Sequence, residues 1–475
     1  MYIRSARWFY AIILTFVLNS VLFPQEKLMD SPQGKIVQAY IEAFNSGDEG
    51  KMRTFFLENI SKEGLAQRPA EARLERYRMM KTEMQSLKLE KVLSVEHQKI
   101  AVLLENGKKE KFTYIFEFEE NPPYKLETIA VEMGEMSLPS GPPLTRVEAV
   151  AEIEQLLAAQ VQADQFSGTV LVVKDSDVLV KKAYGFADKR YQVPNQLDTK
   201  YNLGSINKFF TRVAIGQLMQ PGKLSLDDLV VKHFPEYPNK EVAEKVKIKN
   251  LLEMSSGMGD FFGKKFEETP KNEIRSLKDY LPFFVDDALL FEPGSQRRYS
   301  NVGYILLGLI IEKVTGKDYY QYMKENVFLP AGMKNTDWYE MDAVVSNIAT
   351  GYEHAEGTNG DWVSNIYSAP ARGSSAGGGY STVDDLYSFV QAMQEGKILS
   401  PSYVAWLLTG QLLPNPPSLP YKRGGIGVAG GANGINAVFD YEADTNTILV
   451  VLANYDPPAA EGVARAIRGF VARIK

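Results

Sequence analysis

The chain has 475 residues, 45% of them hydrophobic and 24% charged, which excludes wholesale disorder; its net charge of −6 excludes a basic nucleic-acid-binding surface as its main purpose. It has no cysteine, so disulfides, thiol catalysis and Cys-ligated metal sites are excluded too. The three histidines, His97, His233 and His354, lie too far apart for a His-x₃-His metal site, and no metal or organic cofactor is implied.

Arg4 and Arg7 precede an apolar run from Trp8 to Leu18, broken only by Thr15. This is the pattern of an export signal, and it is shorter than the ~20 apolar residues of a spanning helix. Residues 1–25 are therefore expected to be a secretory signal, with an uncleaved anchor as the alternative. Either way the remainder is expected outside the cytoplasmic membrane, periplasmic or secreted, and attached to it only if the segment is retained.

Residues 30–135 read as helices followed by strands. Ile36, Ala39, Tyr40 and Phe44 recur at helical spacing until Asn45-Ser-Gly-Asp48 ends the run, and Met52, Phe55 and Phe56 mark a second short helix. Strands are expected at 88–96, 99–105, 111–119 and 124–133, turning at Glu105-Asn-Gly-Lys108. Helices on one face of a bent sheet make a small α+β unit. In this order of elements, and in the stretch AYIEAFNSGDEGKMRTFF, it resembles the NTF2-like (SnoaL-like) domains, which form a cone. It holds no evident acid/base pair and reads as an accessory or binding module.

Met136 to Leu144 contains three prolines and a glycine, which cannot continue a helix or a central strand, so residues 136–144 are read as a linker. The larger unit, 145–475, opens with a helix over 145–163 and a hairpin, SGTVLVVKDSDVLVKKAYG, turning at Asp175-Ser176. A long helical and loop region follows from 203 to 408; strands return at 434–441 and 446–454, then a helix at 458–474. Strands at both ends predict one antiparallel sheet with an all-α region over one side, an α+β fold.

Two stretches carry the chemistry. Leu203-Gly204-Ser205-Ile206-Asn207-Lys208 opens a helix that stops at Pro221-Gly222, which puts Ser205 at a helix start and Lys208 one turn later on the same face. There the helix dipole favours a developing alkoxide, and a lysine with a depressed pKa can take the serine proton. Lowering a lysine from ~10.4 to ~7.5 needs about 4 kcal/mol, most of which burial must supply. The bland alternative is a plain serine N-cap beside an exposed lysine. The second stretch, Glu292 to Asn301, puts Tyr299 and Asn301 at a turn before the apolar helix VGYILLGLIIEKVTG. A phenol there can share a proton with Lys208, and the amide can bind a carbonyl. Their alternatives are a core tyrosine and an N-cap asparagine. Ser255-Ser256-Gly257 reads as a turn at the cleft wall, Gly377-Gly378-Gly379 as tight turns before a helix at 383–393, and His354 as a minor candidate for the cleft.

SINK at 205 and YSN at 299, with GKLSLDDLVVKHFPEYP, IKNLLEMSSGMGD, EPGSQRRYSNVGYILLG, GGGYSTVDDLYSFV and TILVVLANYDPPAAE, resemble the serine β-lactamase-like family over about 165–470. That family includes class C β-lactamases, D-Ala-D-Ala carboxypeptidases and esterases. The resemblance implies a β-lactamase/transpeptidase-like fold and an acyl-enzyme on Ser205, with Lys208, Tyr299 and Asn301 assisting. It also implies an oxyanion hole made by the N–H groups of Ser205 and Gly431, the latter following Gly430. One position departs from the family: the cation of its third motif is Val428 here, with Lys422 and Arg423 nearby as substitutes. The expected substrate is therefore a small or peptide-like ester or amide, hydrolysed as by an esterase. The alternatives are a D-alanyl-D-alanine carboxypeptidase or penicillin-binding enzyme acting on cell-wall peptide, and a non-catalytic binding protein on the same fold.

Overall fold

The computed structural model describes residues 31–133, 142–354 and 361–475, apart from 68, 96–97 and 414. The segment read as an export signal, His97 and most of the proline-rich break lie outside the described residues. Among the described residues no helix is long and apolar enough to cross a membrane. The chain divides into two units, Met1–Leu138 and Pro139–Lys475.

In the first unit the helix Pro32–Ser46 is capped by Ser31 Oγ, which accepts from Gly34 N–H, and Glu49–Asn59 is capped by Asp48. They bury Val37, Tyr40, Phe44, Met52, Phe55 and Phe56. Two further helices, Lys62–Gln67 and Ala70–Met84, show no helical apolar pattern in the sequence. The second reads AEARLERYRMMKTEM, too polar to show an apolar stripe, and its Leu74 and Tyr77 go into the core. Four antiparallel strands follow in sequential order, Leu87–Val95, Lys99–Asn106, Lys111–Phe118 and Leu126–Met133. The last begins at Leu126 rather than 124, because Tyr124 takes a left-handed φ of 55° that no strand accommodates.

The second unit is built on a five-stranded antiparallel sheet drawn from both ends of the sequence. Its order is Gly425–Ala432, Ile435–Glu442, Thr447–Ala453, Gly168–Lys174 and Asp177–Tyr184. The hairpin turns through Asp175 and Ser176 at φ of 53° and 74°, the two left-handed residues of a tight turn that suits strand twist. The central strands are buried on both faces, which is why VLVV and TILVVLA read as continuous apolar runs. On one face Val170, Val172 and Val451 pack beneath Ile153 and Leu157 of the helix Arg146–Gln162 and Val463 and Ile467 of Ala459–Val471. On the other, Leu171, Val450 and Phe439 join the large core of the helical region. There Phe209 meets Phe389 and Phe439 edge to face at 5.6 and 6.2 Å. Leu144, inside the stretch read as a linker, bridges to Ile474 and so belongs to this unit.

Gly425–Ala432 is an edge strand of the sheet, and its far end passes the start of the helix Asn207–Met219. The site forms at that crossing.

Candidate active site

A single 3-10 turn, Gly204–Ile206, leads into the helix Asn207–Met219. Ser205 sits in this turn and caps nothing, and Lys208 is only 7% exposed, so the bland reading of a capping serine and a solvated lysine does not hold. The turn is anchored from below. Leu203 N–H donates to Gly379 O at 2.8 Å, and Gly379 N–H donates to Asn207 Oδ1 at 2.8 Å. The glycines at 377–379 thus support the turn that carries Ser205, and Gly377 and Gly378 line the cleft; they are more than turns before the helix Val383–Gln394.

Four side chains from two segments meet here. Ser205 Oγ lies 2.6 Å from Tyr299 Oη and 3.1 Å from Lys208 Nζ. Lys208 Nζ donates to Asn301 Oδ1 at 2.6 Å and to the Ala376 carbonyl at 2.5 Å. These two acceptors occupy two N–H bonds of the amine. A neutral amine then has its lone pair left for the serine hydroxyl, which donates to it. Burial drives the Lys208 pKa down to about 7, against an upward pull from the Asp260 carboxylate. Desolvation lifts the Tyr299 phenol above its ordinary value; the bond to Ser205 opposes this, and the Asp260 charge adds a smaller upward push. Tyr299 therefore keeps its proton at neutral pH, whereas Lys208 can give its proton up.

Asn301 is the first residue of the helix Asn301–Thr315, and the cap is Ser300, whose Oγ accepts from Gly303 N–H at 3.2 Å. The amide of Asn301 is oriented by Asp260. Its Nδ2 donates to Asp260 Oδ2 at 2.9 Å, and its backbone N–H reaches the same oxygen at 3.3 Å. A carboxylate only accepts, so Asp260 fixes Nδ2 on its own side and turns Oδ1 toward Lys208. Neither Asp260 nor the Ala376 carbonyl carries a mark in the sequence of its place at the site. Asp260 does stand in the signature IKNLLEMSSGMGD, but an acid after a glycine-rich turn has no sequence mark that ties it to an asparagine 41 residues on.

Close backbone approach sets Ser205 beside Gly431. A Cβ on Gly430 would lie 2.0 Å from Leu203 O and 2.8 Å from Ser205 N, and one on Gly204, at φ +49°, would lie 3.0 Å from Gly431 N. Only glycine at these two positions lets the edge strand come this close to the turn that carries Ser205.

These groups open onto a cleft of about 540 Å³. Ser205, Tyr299, Asn301 and Gly431 line it, and no Asp, Glu, Lys, Arg or His does among the described residues. Val428 packs against the large core and does not reach the cleft. Lys422 and Arg423 are exposed before the strand begins at Gly425, about 20 Å of strand from Gly431, and supply no cation to the cleft. His354 stacks on Trp362 with ring centroids 3.7 Å apart, His233 bonds to Asp228 at 2.8 Å, and neither lines the cleft. Ser255 and Ser256 are buried and also stand off the wall, which is instead taken by Phe261 and Phe262.

The five-stranded sheet, the helical region on one of its faces and the Ser–Lys–Tyr cluster between them define the class to which the chain belongs. The chain belongs to the beta-lactamase family, whose model matches residues 153–473. Penicillin-binding protein 4* of Bacillus subtilis is 34% identical over 177 residues, 37% of this chain and 38% of that one. The putative penicillin-binding protein PbpX of Bacillus subtilis is 28% identical over 62% of this chain and 73% of its own. The chain spans about two fifths of the length of two of the curated relatives it matches, 38% and 41%. Among solved structures, a penicillin binding protein from Bacillus halodurans is 31% identical, with a TM-score of 0.57 over 65% of this chain and 98% of that one. EstCE1, a hydrolase with promiscuous acyltransferase activity, shares the fold at 21% identity, with a TM-score of 0.54 over 69% of this chain and 99% of its own.

Proposed function

We propose that this protein hydrolyses an uncharged ester or amide through an acyl-enzyme on Ser205. The observation that carries the reading is the placement of Ser205 Oγ between Tyr299 Oη at 2.6 Å and Lys208 Nζ at 3.1 Å. Lys208, neutral above about pH 7, takes the serine proton as Oγ attacks the carbonyl carbon. The N–H groups of Ser205 and Gly431 receive the oxyanion. The ammonium of Lys208 passes its proton through Tyr299 to the leaving oxygen or nitrogen, and the C–O or C–N bond breaks. Water then attacks the acyl-enzyme, its proton taken by the same pair, and Ser205 is released.

That no described residue on the cleft wall is a cation supports an esterase-like substrate without a free carboxylate next to the scissile bond. The test is labelling with a fluorophosphonate and turnover of p-nitrophenyl esters. Wild-type protein is expected to label at Ser205 and turn over, and Ser205→Ala to do neither. Folded wild-type protein that fails to label would sink the reading. A second reading, cell-wall peptide cleavage, is supported by the penicillin-binding names of the relatives. Covalent capture of labelled penicillin at Ser205 would favour it over the first.

The basic start and apolar run of residues 1–25 support export from the cytoplasm. The first unit, α+β with helices and one four-stranded antiparallel sheet, is proposed as an NTF2-like accessory module.

A further inference from the structure

The cleft has a wall that the proposed chemistry does not use. Phe261, Phe262, Phe266 and Tyr280 line it. Phe261 is the hub: its ring centroid lies 4.3 Å from Phe262, 5.0 Å from Phe266 and 5.1 Å from Tyr280. Three of these rings are buried, but Phe262 remains 62% exposed. A phenyl ring left in water beside three buried ones is unused apolar area, and covering it is worth about 25 cal/mol per Å². The wall is also tied to the reacting atoms. It starts at the residue after Asp260, whose carboxylate holds Asn301, which in turn holds Lys208. Ala369 and Pro370 continue the apolar lining, and the polar remainder is amides, hydroxyls and backbone. A cleft of about 540 Å³ falls in the ~300–1,000 Å³ range of small-ligand sites.

We propose that this wall is a recognition subsite for an aromatic or equally bulky apolar group of the substrate, against which Phe262 stacks. The inference rests on the acyl-enzyme reading and narrows it to uncharged esters or amides that carry such a group. The wall disfavours a charge because no lining side chain among the described residues carries an opposite one.

Two substrate series test it. One holds the leaving group constant, p-nitrophenyl acetate against p-nitrophenyl phenylacetate; the other holds the acyl group, methyl acetate against benzyl acetate. An aryl preference in kcat/KM of about 10–100-fold is expected in one series, and that series tells whether the ring enters with the acyl or the leaving group. Phe262→Ala should cut the preference about 3–10-fold and Phe262→Trp should keep it. A carboxylate added to the ring should abolish it. Phe262 is mostly exposed, so its truncation does not threaten folding. Flat ratios in both series, or a ratio indifferent to Phe262→Ala, with Ser205 still labelled by fluorophosphonate, would overturn the subsite alone. Failure to label together with no turnover in either series would overturn the acyl-enzyme reading and the subsite with it.

Discussion

The polar cluster behind Ser205 and the aromatic wall of the cleft meet at adjacent residues, Asp260 and Phe261, yet different forces hold them. On the polar side each group has a directional partner: Asp260 holds Asn301, Asn301 and Ala376 hold Lys208, and Lys208 and Tyr299 meet at Ser205. On the aromatic side the side chains of Phe261, Phe262 and Phe266 pack ring on ring, with Lys271 Nζ 4.4 Å from the centroid of the Phe266 ring. Directional bonds fix atoms to a few tenths of an ångström and fail when one partner is lost. Area-based contacts weaken by degrees. Changes on the polar side should therefore abolish the rate, and changes on the aromatic side should only re-weight substrates.

The sharpest test of that contrast is Lys208→Met, which keeps the apolar stem and removes the amine. We expect a loss of about 10⁴-fold in kcat in protein that a thermal melt shows to be folded; a loss under tenfold would show that the base lies elsewhere. Tyr299→Phe should cost about 10²–10³-fold, with a smaller loss for substrates whose leaving group needs no proton. Because Tyr299 is 53% exposed, its loss should leave stability unchanged, which a thermal melt checks. Gly430→Ala puts a methyl group where Leu203 O stands 2.0 Å away, so the strand must back off from the nucleophile turn. A loss of about 10²-fold is expected from the weakened oxyanion donor, with fluorophosphonate labelling slowed in parallel.

The smallest effect is the most diagnostic. With Lys208 lowered to about 7, kcat/KM should rise with pH through about 7, since the protonated amine below that pH cannot act as a base. The Asp260 carboxylate favours the protonated amine, so Asp260→Asn should move the rising limb to lower pH. A limb that stays put or moves up would mean that Asp260 acts on Lys208 only through the orientation of Asn301.

Some of this architecture was legible in the residues. The hairpin at Asp175-Ser176 shows because turn residues and alternating apolar runs are local signals. The two-ended sheet follows from strand patterns at both termini. The helix Ala70–Met84 was not legible, because its burial is confined to few positions and tertiary packing holds a sequence that is polar overall. In the site, Ser-x-x-Lys and Tyr-x-Asn could be read as spacings, but neither fixes a distance between the two segments. Asp260 and the Ala376 carbonyl carried no such mark. The position of Val428 was readable and its consequence was not: only the structure shows that its side chain turns to the core and that neither Lys422 nor Arg423 reaches the cleft.

The sequence by itself determined which side chains with reactive chemistry exist and which local elements carry them, because helix starts, turns and apolar periods are written in neighbouring residues. The tertiary structure decided the depressed pKa of Lys208, the orientation of the Asn301 amide and that the described residues lining the cleft are uncharged. Those three depend on burial and on partners up to 168 residues away along the chain, and desolvation and hydrogen bonding act through space.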